Sequence, residues 1–129
     1  APLAPTWGYE NRTVAVRVPA DAPAATRIEH RVSGADANPY LVIAAILAGM
    51  LHGIESKLEA PAPLEGNAYD QVPASLPRYW PDALTKFQDS KFIGENFGDE
   101  FQRTYSLIKQ QEIDEFDKQV TSLEYDACL

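Results

Sequence analysis

Sulfur and histidine are nearly absent from this chain, which has one cysteine, Cys128, and two histidines, His30 and His52. A single cysteine excludes an internal disulfide and is typical of a protein in a reducing cytoplasm. Neither histidine has a second one at ligand spacing, so no zinc site is predicted. We interpret both histidines as packed or hydrogen-bonded structural residues, and we expect a cytoplasmic location.

Positive charge and long apolar runs are also scarce. The chain has 11 lysines and arginines against 19 acidic residues, which gives a formal net charge of −8. Such a charge argues against a nucleic acid or an acidic membrane surface as a partner. The longest apolar run, residues 40–51, is shorter than the roughly 20 residues that a membrane-spanning helix needs. We therefore predict no nucleic-acid partner and no membrane partner.

The residues that are present predict a folded chain. Its 129 residues are 45% hydrophobic and 10% aromatic, which suits one domain with a modest core and argues against disorder. The chain begins with alanine and not with methionine, so we expect a processed or trimmed piece of a longer polypeptide.

A pair of short antiparallel strands is predicted near the start of the chain, at residues 11–19 and 27–31. A loop of proline, alanine and aspartate joins them. Side chains alternate between the two faces of a strand, so Arg27, Glu29 and Arg31 are expected to share one face of the second strand. The placement of the polar residues in this strand pair is unusual for an ordinary exposed surface.

Four of the chain's few basic residues lie in these strands, namely Arg12, Arg17, Arg27 and Arg31. The guanidinium group is a planar fork that suits phosphate and carboxylate oxygens. Glu29 is either the salt-bridge partner of these arginines or a ligand for a hard cation such as Mg²⁺. Arginines with one metal-binding carboxylate suit phosphoryl transfer, which needs charge neutralisation. The alternative is an exposed face of paired charges, which contributes little to stability.

Helices are predicted after the strands, so the fold class is α+β. Asn38 followed by Pro39 is typical of a helix N-cap with proline in the first turn. Apolar residues on all sides predict a buried helix over residues 36–58. Either the later helices of this chain enclose it, or something outside this chain covers it. A proline-rich loop over residues 59–81 and a C-terminal helical bundle over residues 82–129 follow.

Two helices and a final turn are predicted within this bundle. A short helix is expected over residues 81–90, and the longest helix is expected to begin at Asp99. Its core face is predicted from apolar residues that recur at helical spacing, namely Phe101, Tyr105, Ile108, Phe116, Val120 and Leu123. Thr121 and Glu124 have the spacing of a capping box for the final turn.

Four segments of the chain resemble the glutamine synthetase family. They are Trp-Gly-Tyr-Glu-Asn-Arg at residues 7–12, Arg-Val-Pro at residues 17–19, Arg-Ile-Glu-His-Arg at residues 27–31, and the apolar stretch at residues 37–49. In this order and spacing they resemble the C-terminal part of the family's catalytic domain, over the whole chain, residues 1–129. The closest resemblance is to the γ-glutamyl-polyamine (putrescine) synthetases.

The resemblance implies an ATP-dependent carbon–nitrogen ligase. Enzymes of this family bind ATP, glutamate and a divalent metal, Mg²⁺ or Mn²⁺. They transfer the γ-phosphate of ATP to the side-chain carboxylate of glutamate, and an amine then displaces phosphate from the acyl phosphate. The amine is ammonia in glutamine synthetases and a polyamine such as putrescine in the subgroup named above.

The resemblance also implies a role for each charged residue of the strand segment, residues 1–35. Arg12 matches a catalytic arginine that contacts both ATP and glutamate, and Arg31 matches a catalytic arginine that holds glutamate. Arg17 and Arg27 match residues that bind the nucleotide, and Glu29 matches a metal ligand.

One segment departs from the family pattern. The loop over residues 20–26 lacks the lysine that many members place there for the nucleotide. One expected contact to ATP is therefore missing, although the class of reaction is unaffected.

The resemblance covers only the last part of such an enzyme. We expect the missing N-terminal part of the same polypeptide to supply the other metal ligands and the catalytic glutamate, and the full-length enzyme to form a homo-oligomeric ring. The isolated chain is then predicted to be inactive. The alternative is a stand-alone, non-catalytic module that binds phosphate or nucleotide, or that acts in assembly.

Overall fold

The structure, a computed structural model, describes residues 1–19 and 22–128. Ala20 and Asp21, with which the predicted loop between the strands begins, lie outside the described residues. So does Leu129, the last residue of the predicted bundle.

The chain forms two compact units: unit 1, Ala1–Leu76, and unit 2, Pro77–Leu129. Unit 1 contains a sheet of three short strands, β1 (Trp7–Tyr9), β2 (Val16–Val18) and β3 (Glu29–His30). Strand β2 lies in the middle, parallel to β1 and antiparallel to β3. The antiparallel pair confirms the predicted pair, although both strands are shorter than predicted. The parallel neighbour β1 was not predicted.

The first predicted strand begins late because Asn11 folds the chain into a turn. Its side-chain oxygen accepts hydrogen bonds from the backbone N–H and the hydroxyl of Thr13, at 2.9 and 2.6 Å. Short polar side chains of this kind compete with a strand for the backbone donors. The Asn11 amide nitrogen also donates to the carbonyls of Leu64 and Gly66, at 3.0 and 2.8 Å. The proline-rich segment is thereby attached to the sheet.

The core of unit 1 lies where this turn meets β2. Val14 has no exposed surface, and Ala15 is 4% exposed. The backbone N–H groups of Ala15 and Val16 both donate to the carbonyl of Thr6, at 3.0 Å each. The buried side chains here are small, so this core occupies little volume.

The apolar helix of unit 1 is α1 (Pro39–Glu55). The Asn38 side chain accepts hydrogen bonds from the backbone N–H groups of Tyr40 and Leu41, at 3.0 and 3.3 Å, which confirms the predicted N-cap. Within the described part of the chain, no helix is long and apolar enough to cross a membrane.

The predicted burial of α1 is wrong for this chain, because none of its residues is buried. Tyr40 is 82% exposed and Ile54 is 73% exposed. The physical reason is the size of unit 1. Apart from a three-residue 3-10 turn, Pro23–Ala25, the described part of unit 1 adds only the short helix α2 (Ala68–Gln71) to the sheet. These elements offer too little apolar surface to enclose a helix of 17 residues.

Unit 2 is helical, with α3 (Trp80–Gln88), α4 (Lys91–Phe97), α5 (Asp99–Asp117) and α6 (Ser122–Cys128). Helices α3 and α5 match the two predicted helices, and α5 begins at the predicted residue. Helix α4 was not predicted. Ser90 caps its N-terminus, because the Ser90 hydroxyl accepts a hydrogen bond from the backbone N–H of Ile93 at 3.3 Å.

The predicted capping box of the last helix is confirmed. The Glu124 carboxylate accepts a hydrogen bond from the backbone N–H of Thr121 at 2.9 Å. In return, the Thr121 hydroxyl accepts one from the backbone N–H of Glu124 at 3.2 Å. The Glu124 carboxylate accepts hydrogen bonds from the backbone N–H and the hydroxyl of Thr121, and these two bonds hold its pKa below its ordinary value, with the backbone donor as the main cause.

The buried face of α5 differs from the predicted one. Ser106 and Ile113 are buried, whereas Ile108 is 50% exposed and Phe116 is 65% exposed. A polar side chain on α5 also contacts the end of α3. The amide nitrogen of Gln102 lies 2.7 to 3.0 Å from three backbone carbonyls at and after the end of α3. Gln102 is thereby attached to the end of α3 and to the turn that follows it.

Candidate functional site

A charged cluster lies on the β2–β3 pair of unit 1. Arg17 on β2 is directly opposite Glu29 on β3 in the antiparallel register. Residues in such positions share a face, and here one guanidinium nitrogen, Nη1 of Arg17, donates to Oε2 of Glu29 at 2.8 Å. The Arg17 side chain is only 14% exposed, so part of this ion pair is shielded from water.

Arg27 binds the other oxygen of the same carboxylate. Its Nη2 donates to Oε1 of Glu29 at 2.8 Å, and its Nη1 donates to the carbonyl of Ala25 at 3.2 Å. The Glu29 carboxylate therefore has one guanidinium on each oxygen. The hydrogen bond from Arg17, followed by the one from Arg27, holds the pKa of Glu29 below its ordinary value of 4.5.

Glu10 completes the cluster and was missed by the sequence analysis. It follows β1 directly, its carboxylate accepts a hydrogen bond from Nη2 of Arg17, and its backbone N–H donates to the carbonyl of Val18 at 3.1 Å. Glu10 and Glu29 both raise the pKa of Arg17, with Glu10 as the main cause. The parallel pairing of β1 with β2 brings Glu10 to Arg17, and that pairing was not predicted.

Glu10 also has an unusual backbone conformation. Its φ angle is 48°, in the left-handed region that few residues other than glycine occupy. A glutamate in this conformation is strained relative to an extended one. The hydrogen bonds of its backbone and of its carboxylate hold it in place.

Arg31 takes a different position from the one predicted. Its guanidinium donates to the backbone carbonyls of Arg12 and Val14, and its own N–H donates to the carbonyl of Ala15 at 2.8 Å. Strand β3 ends at His30, so the alternation that would have placed Arg31 beside Glu29 does not continue. Arg31 instead braces the turn that carries Arg12.

Arg12 is exposed and lines an open cavity of about 390 Å³ at the end of β1. Glu10 belongs to the same cavity, so this cavity adjoins the Arg17 cluster. The remaining lining residues are Tyr9, Asn11, Pro63, Glu65 and Gly66.

The arginines of this region suit anionic oxygens, because guanidinium groups match the geometry of carboxylate and phosphate groups. The same residues do not suit a metal ion. Both oxygens of Glu29 already accept hydrogen bonds from arginines. The part of the chain that the structure describes contains no group of three or more histidine, cysteine, aspartate or glutamate side chains that could hold a metal. Mg²⁺ needs several oxygen ligands, so this chain's residues alone do not fit it.

Comparison with protein families identifies the family of this chain. The family model described as the catalytic domain of glutamine synthetase matches residues 1–128. The chain belongs to the glutamine synthetase family. Its α+β fold is accordingly a fragment of the glutamine synthetase catalytic domain.

Several curated proteins are similar to this member of the glutamine synthetase family. It is 39% identical over 128 residues to the γ-glutamylputrescine synthetase PuuA of Escherichia coli, covering 99% of this chain and 27% of that protein. It is 41% identical over 124 residues to the γ-glutamylethanolamide synthetase GlnA4 of Streptomyces coelicolor, covering 96% and 27%. With the glutamine synthetase of Methanocaldococcus jannaschii, identity is 35% over 136 residues, covering 96% and 29%. The chain thus spans little more than a quarter of these relatives.

Proposed function

We propose that this chain is part of an ATP-dependent ligase that joins glutamate to an amine and forms a γ-glutamyl amide through an acyl phosphate. The match of residues 1–128 to the catalytic domain of glutamine synthetase carries this proposal. The names of the similar proteins support it, since they describe ligases that use glutamate or form γ-glutamyl products.

The proposed roles of the arginines are those that the resemblance to the family implies, and guanidinium chemistry suits them. Arg12, Arg17 and Arg27 bind the phosphates of ATP, and Arg12 and Arg31 hold the glutamate carboxylates. Phosphoryl transfer requires mainly positioning and charge neutralisation, which fixed guanidinium groups supply. The exposure of Arg12 at the cavity supports the role proposed for it.

Glu29 is proposed as this chain's contribution to a Mg²⁺ or Mn²⁺ site in the whole protein. The remaining ligands would come from the part of the relatives that this chain does not span. Because two arginines hold Glu29, we expect Mg²⁺ added to the isolated chain to bind no more tightly than to a Glu29→Gln variant. Isothermal titration calorimetry measures this difference.

The acceptor is proposed to be a polyamine such as putrescine, and not ammonia. The similarity to PuuA supports this choice. A panel of amines, including ammonia, putrescine and ethanolamine, would be tested with the full-length enzyme by ATP-dependent phosphate release in the presence of glutamate. Faster turnover with ammonia than with every diamine would contradict the polyamine assignment.

The whole enzyme is proposed to be a cytoplasmic homo-oligomeric ring, and the isolated chain is proposed to be inactive. The decisive assay compares phosphate release by the full-length protein with that by the 129-residue chain. We expect release that depends on both glutamate and amine from the former alone. Turnover by the isolated chain would contradict its proposed inactivity, and absence of turnover by the full-length protein would overturn the ligase assignment.

The second candidate is a stand-alone module that binds phosphorylated ligands without catalysis. One observation favours this module: the four charged residues of the cluster all lie in unit 1 of this chain and contact one another there. They are Glu10, Arg17, Arg27 and Glu29. An antibody against the chain separates the two candidates on a denaturing gel of source cells. A band much larger than the chain supports the ligase, and a band of its own size supports the module.

A further inference from the structure

Arg12 lies between two residues whose side chains are hydrogen-bonded. Before it, the Asn11 amide nitrogen donates to the carbonyls of Leu64 and Gly66, at 3.0 and 2.8 Å. After it, the Thr13 hydroxyl donates to the side-chain oxygen of Asn11 at 2.6 Å. The two neighbours of Arg12 are therefore tied to each other, and Asn11 is tied to the proline-rich segment.

Thr13 makes a contact of its own with the same segment. Its hydroxyl accepts a hydrogen bond from the backbone N–H of Ala68, the first residue of α2, at 2.9 Å. A hydroxyl donates one hydrogen bond and accepts others, so the Thr13 oxygen makes both of its bonds at once. Ala68 is buried and Thr13 is half-buried. Removal of the hydroxyl would therefore leave the N–H of Ala68 without its partner.

These contacts join two walls of the open cavity that Arg12 lines. Arg12 belongs to the turn after β1, whereas Pro63, Glu65 and Gly66 belong to the proline-rich segment. Thr13 is not among the described residues that line this cavity. Its influence on a ligand there is therefore indirect and passes through the residues that it holds.

The direction of the Arg12 side chain matters because the cavity also carries negative charge. Glu10 and Glu65 line it together with Arg12. A carboxylate repels a phosphate group, so an anion gains most from the Arg12 guanidinium where that group is held apart from the carboxylates. The backbone is also held at Arg12 itself, because Arg31 donates to the Arg12 carbonyl. The turn thus fixes the direction in which the Arg12 side chain leaves the backbone.

We propose that Thr13 is a positioning residue for Arg12. Its hydroxyl fixes the turn against the first residue of α2 and so presents the Arg12 guanidinium to a phosphate group in the cavity. A side chain that is oriented before binding loses less conformational entropy when the ligand arrives, so affinity depends on the hydroxyl. This inference rests on the proposed role of Arg12 in binding the phosphates of ATP.

The test measures the binding of inorganic pyrophosphate to the 129-residue chain by nuclear magnetic resonance. The backbone amide signal of Gly66, which lines the same cavity, follows the titration. Thr13→Val keeps the shape of the side chain and removes the hydroxyl, so we expect affinity to fall about three- to tenfold, within the coupling found inside one hydrogen-bond network. Thr13→Ser keeps the hydroxyl and is expected to restore the affinity of the wild type.

Two comparisons separate positioning from a loss of stability. Asn38→Ala removes a side chain that accepts backbone hydrogen bonds in the same unit, at the N-cap of α1. It is expected to lower the melting temperature, as Thr13→Val does, and to leave the affinity for pyrophosphate unchanged. In an Arg12→Gln background, Thr13→Val is expected to cause no further loss of affinity, because it acts through Arg12.

Four results would overturn the proposal: wild-type affinity in Thr13→Val, an equal loss in Asn38→Ala or in Thr13→Ser, a loss that persists without Arg12, and a wild type whose Gly66 signal pyrophosphate does not shift. If Thr13→Val fails to fold in circular dichroism, Thr13→Cys serves instead. It differs from Thr13→Ser only by a thiol, which is a weaker hydrogen-bonding group than a hydroxyl. It is expected to bind pyrophosphate more weakly than Thr13→Ser, and equal affinities would refute the proposal.

The same data separate this inference from the proposed function. Weaker pyrophosphate binding by Thr13→Val, combined with no ligase activity of the full-length protein, would keep the positioning role and remove the reaction. Ligase activity of the full-length protein, combined with pyrophosphate binding that Thr13→Val leaves unchanged, would keep the reaction and remove the positioning role.

Discussion

Glu29 shows how neighbouring residues decide whether a carboxylate binds a cation or an arginine. Its two oxygens accept hydrogen bonds from Arg17 and Arg27, and its pKa lies below its ordinary value for that reason. A carboxylate in this state is a strong anion, but its lone pairs are already directed at guanidinium groups. Within unit 1 it therefore acts as the centre of an ion-pair cluster.

The lowered pKa of Glu29 predicts an acid dependence of stability. Its pKa is lower in the folded than in the unfolded chain, so its contribution is fully present above the ordinary value of 4.5 and is lost as the pH falls through the folded pKa. We expect the wild type to melt above Glu29→Gln at pH 7. That difference should shrink as the pH falls below about 4.5.

Thermal unfolding followed by circular dichroism between pH 2.5 and pH 7 measures this effect, with pH values about half a unit apart. Asp36→Asn, at an exposed residue of the same unit, serves as the charge control. A difference between wild type and Glu29→Gln that is constant over the whole range would mean that the ion pairs do not stabilise the fold.

At the residue scale, the sequence predicted part of the cluster. It placed Arg27 and Glu29 on one face and drew attention to Arg17, and these three meet in the structure. It missed Glu10, because a contact between β1 and β2 depends on strand pairing that no local pattern revealed. It misplaced Arg31, because alternation ends where the strand ends.

At the scale of elements, close backbone contacts decide where a side chain is tolerated. Strand β1 runs so near the proline-rich segment that a Cβ added at Gly8 would lie 2.5 Å from the carbonyl oxygen of Leu64. Real Cβ atoms do not approach a backbone oxygen so closely, and a backbone oxygen has little freedom to move. Gly8 is therefore required for the attachment of residues 59–66 to the sheet.

We predict that Gly8→Ala destabilises the chain by about 1–3 kcal/mol, the usual range for overpacking. The matched control is Gly49→Ala in α1, where an added Cβ meets nothing within 4 Å. There alanine should stabilise the helix by up to about 1 kcal/mol, because it restricts the unfolded chain and favours helix. Urea denaturation of both variants gives the two free energies. Equal effects of the same sign would contradict the close contact at Gly8.

The N-cap of α1 gives a second prediction at this scale. Asn38→Ala removes the side chain that accepts two backbone hydrogen bonds and should destabilise the helix by about 1 kcal/mol. Asn38→Asp retains a capping oxygen and should be close to the wild type. Helical content in the far-ultraviolet circular dichroism spectrum reports the change. Loss of the same amount of helix in both variants would argue against side-chain capping.

At the scale of the whole molecule, the exposure of α1 reflects the small size of unit 1. The chain spans little more than a quarter of the relatives reported above. Ile43, Leu47 and Ile54 on α1 are 55%, 58% and 73% exposed. Several large apolar side chains on one helix form a surface of the kind that promotes association.

We predict that the isolated chain self-associates through α1 at micromolar concentration. Leu47→Lys should reduce the sedimentation coefficient and light scattering, because burying a lysine in an apolar contact is unfavourable. Leu107→Lys on α5 is the matched control, since Leu107 is 59% exposed. A monomeric wild type, or an equal reduction by both variants, would contradict association through α1.

The sequence by itself determined the α+β class, the N-cap and capping box, the start of α5 and the family to which the chain belongs. These features depend on residue order over a few positions, which local hydrogen bonding and chain geometry translate directly into structure. Tertiary structure alone decided that Glu10 reaches Arg17, that Arg31 turns to the backbone, that α5 buries Ser106 and that α1 lies exposed. Each of these outcomes depends on which distant segments pack together and on how much apolar surface they offer, and neither quantity is encoded in a local pattern.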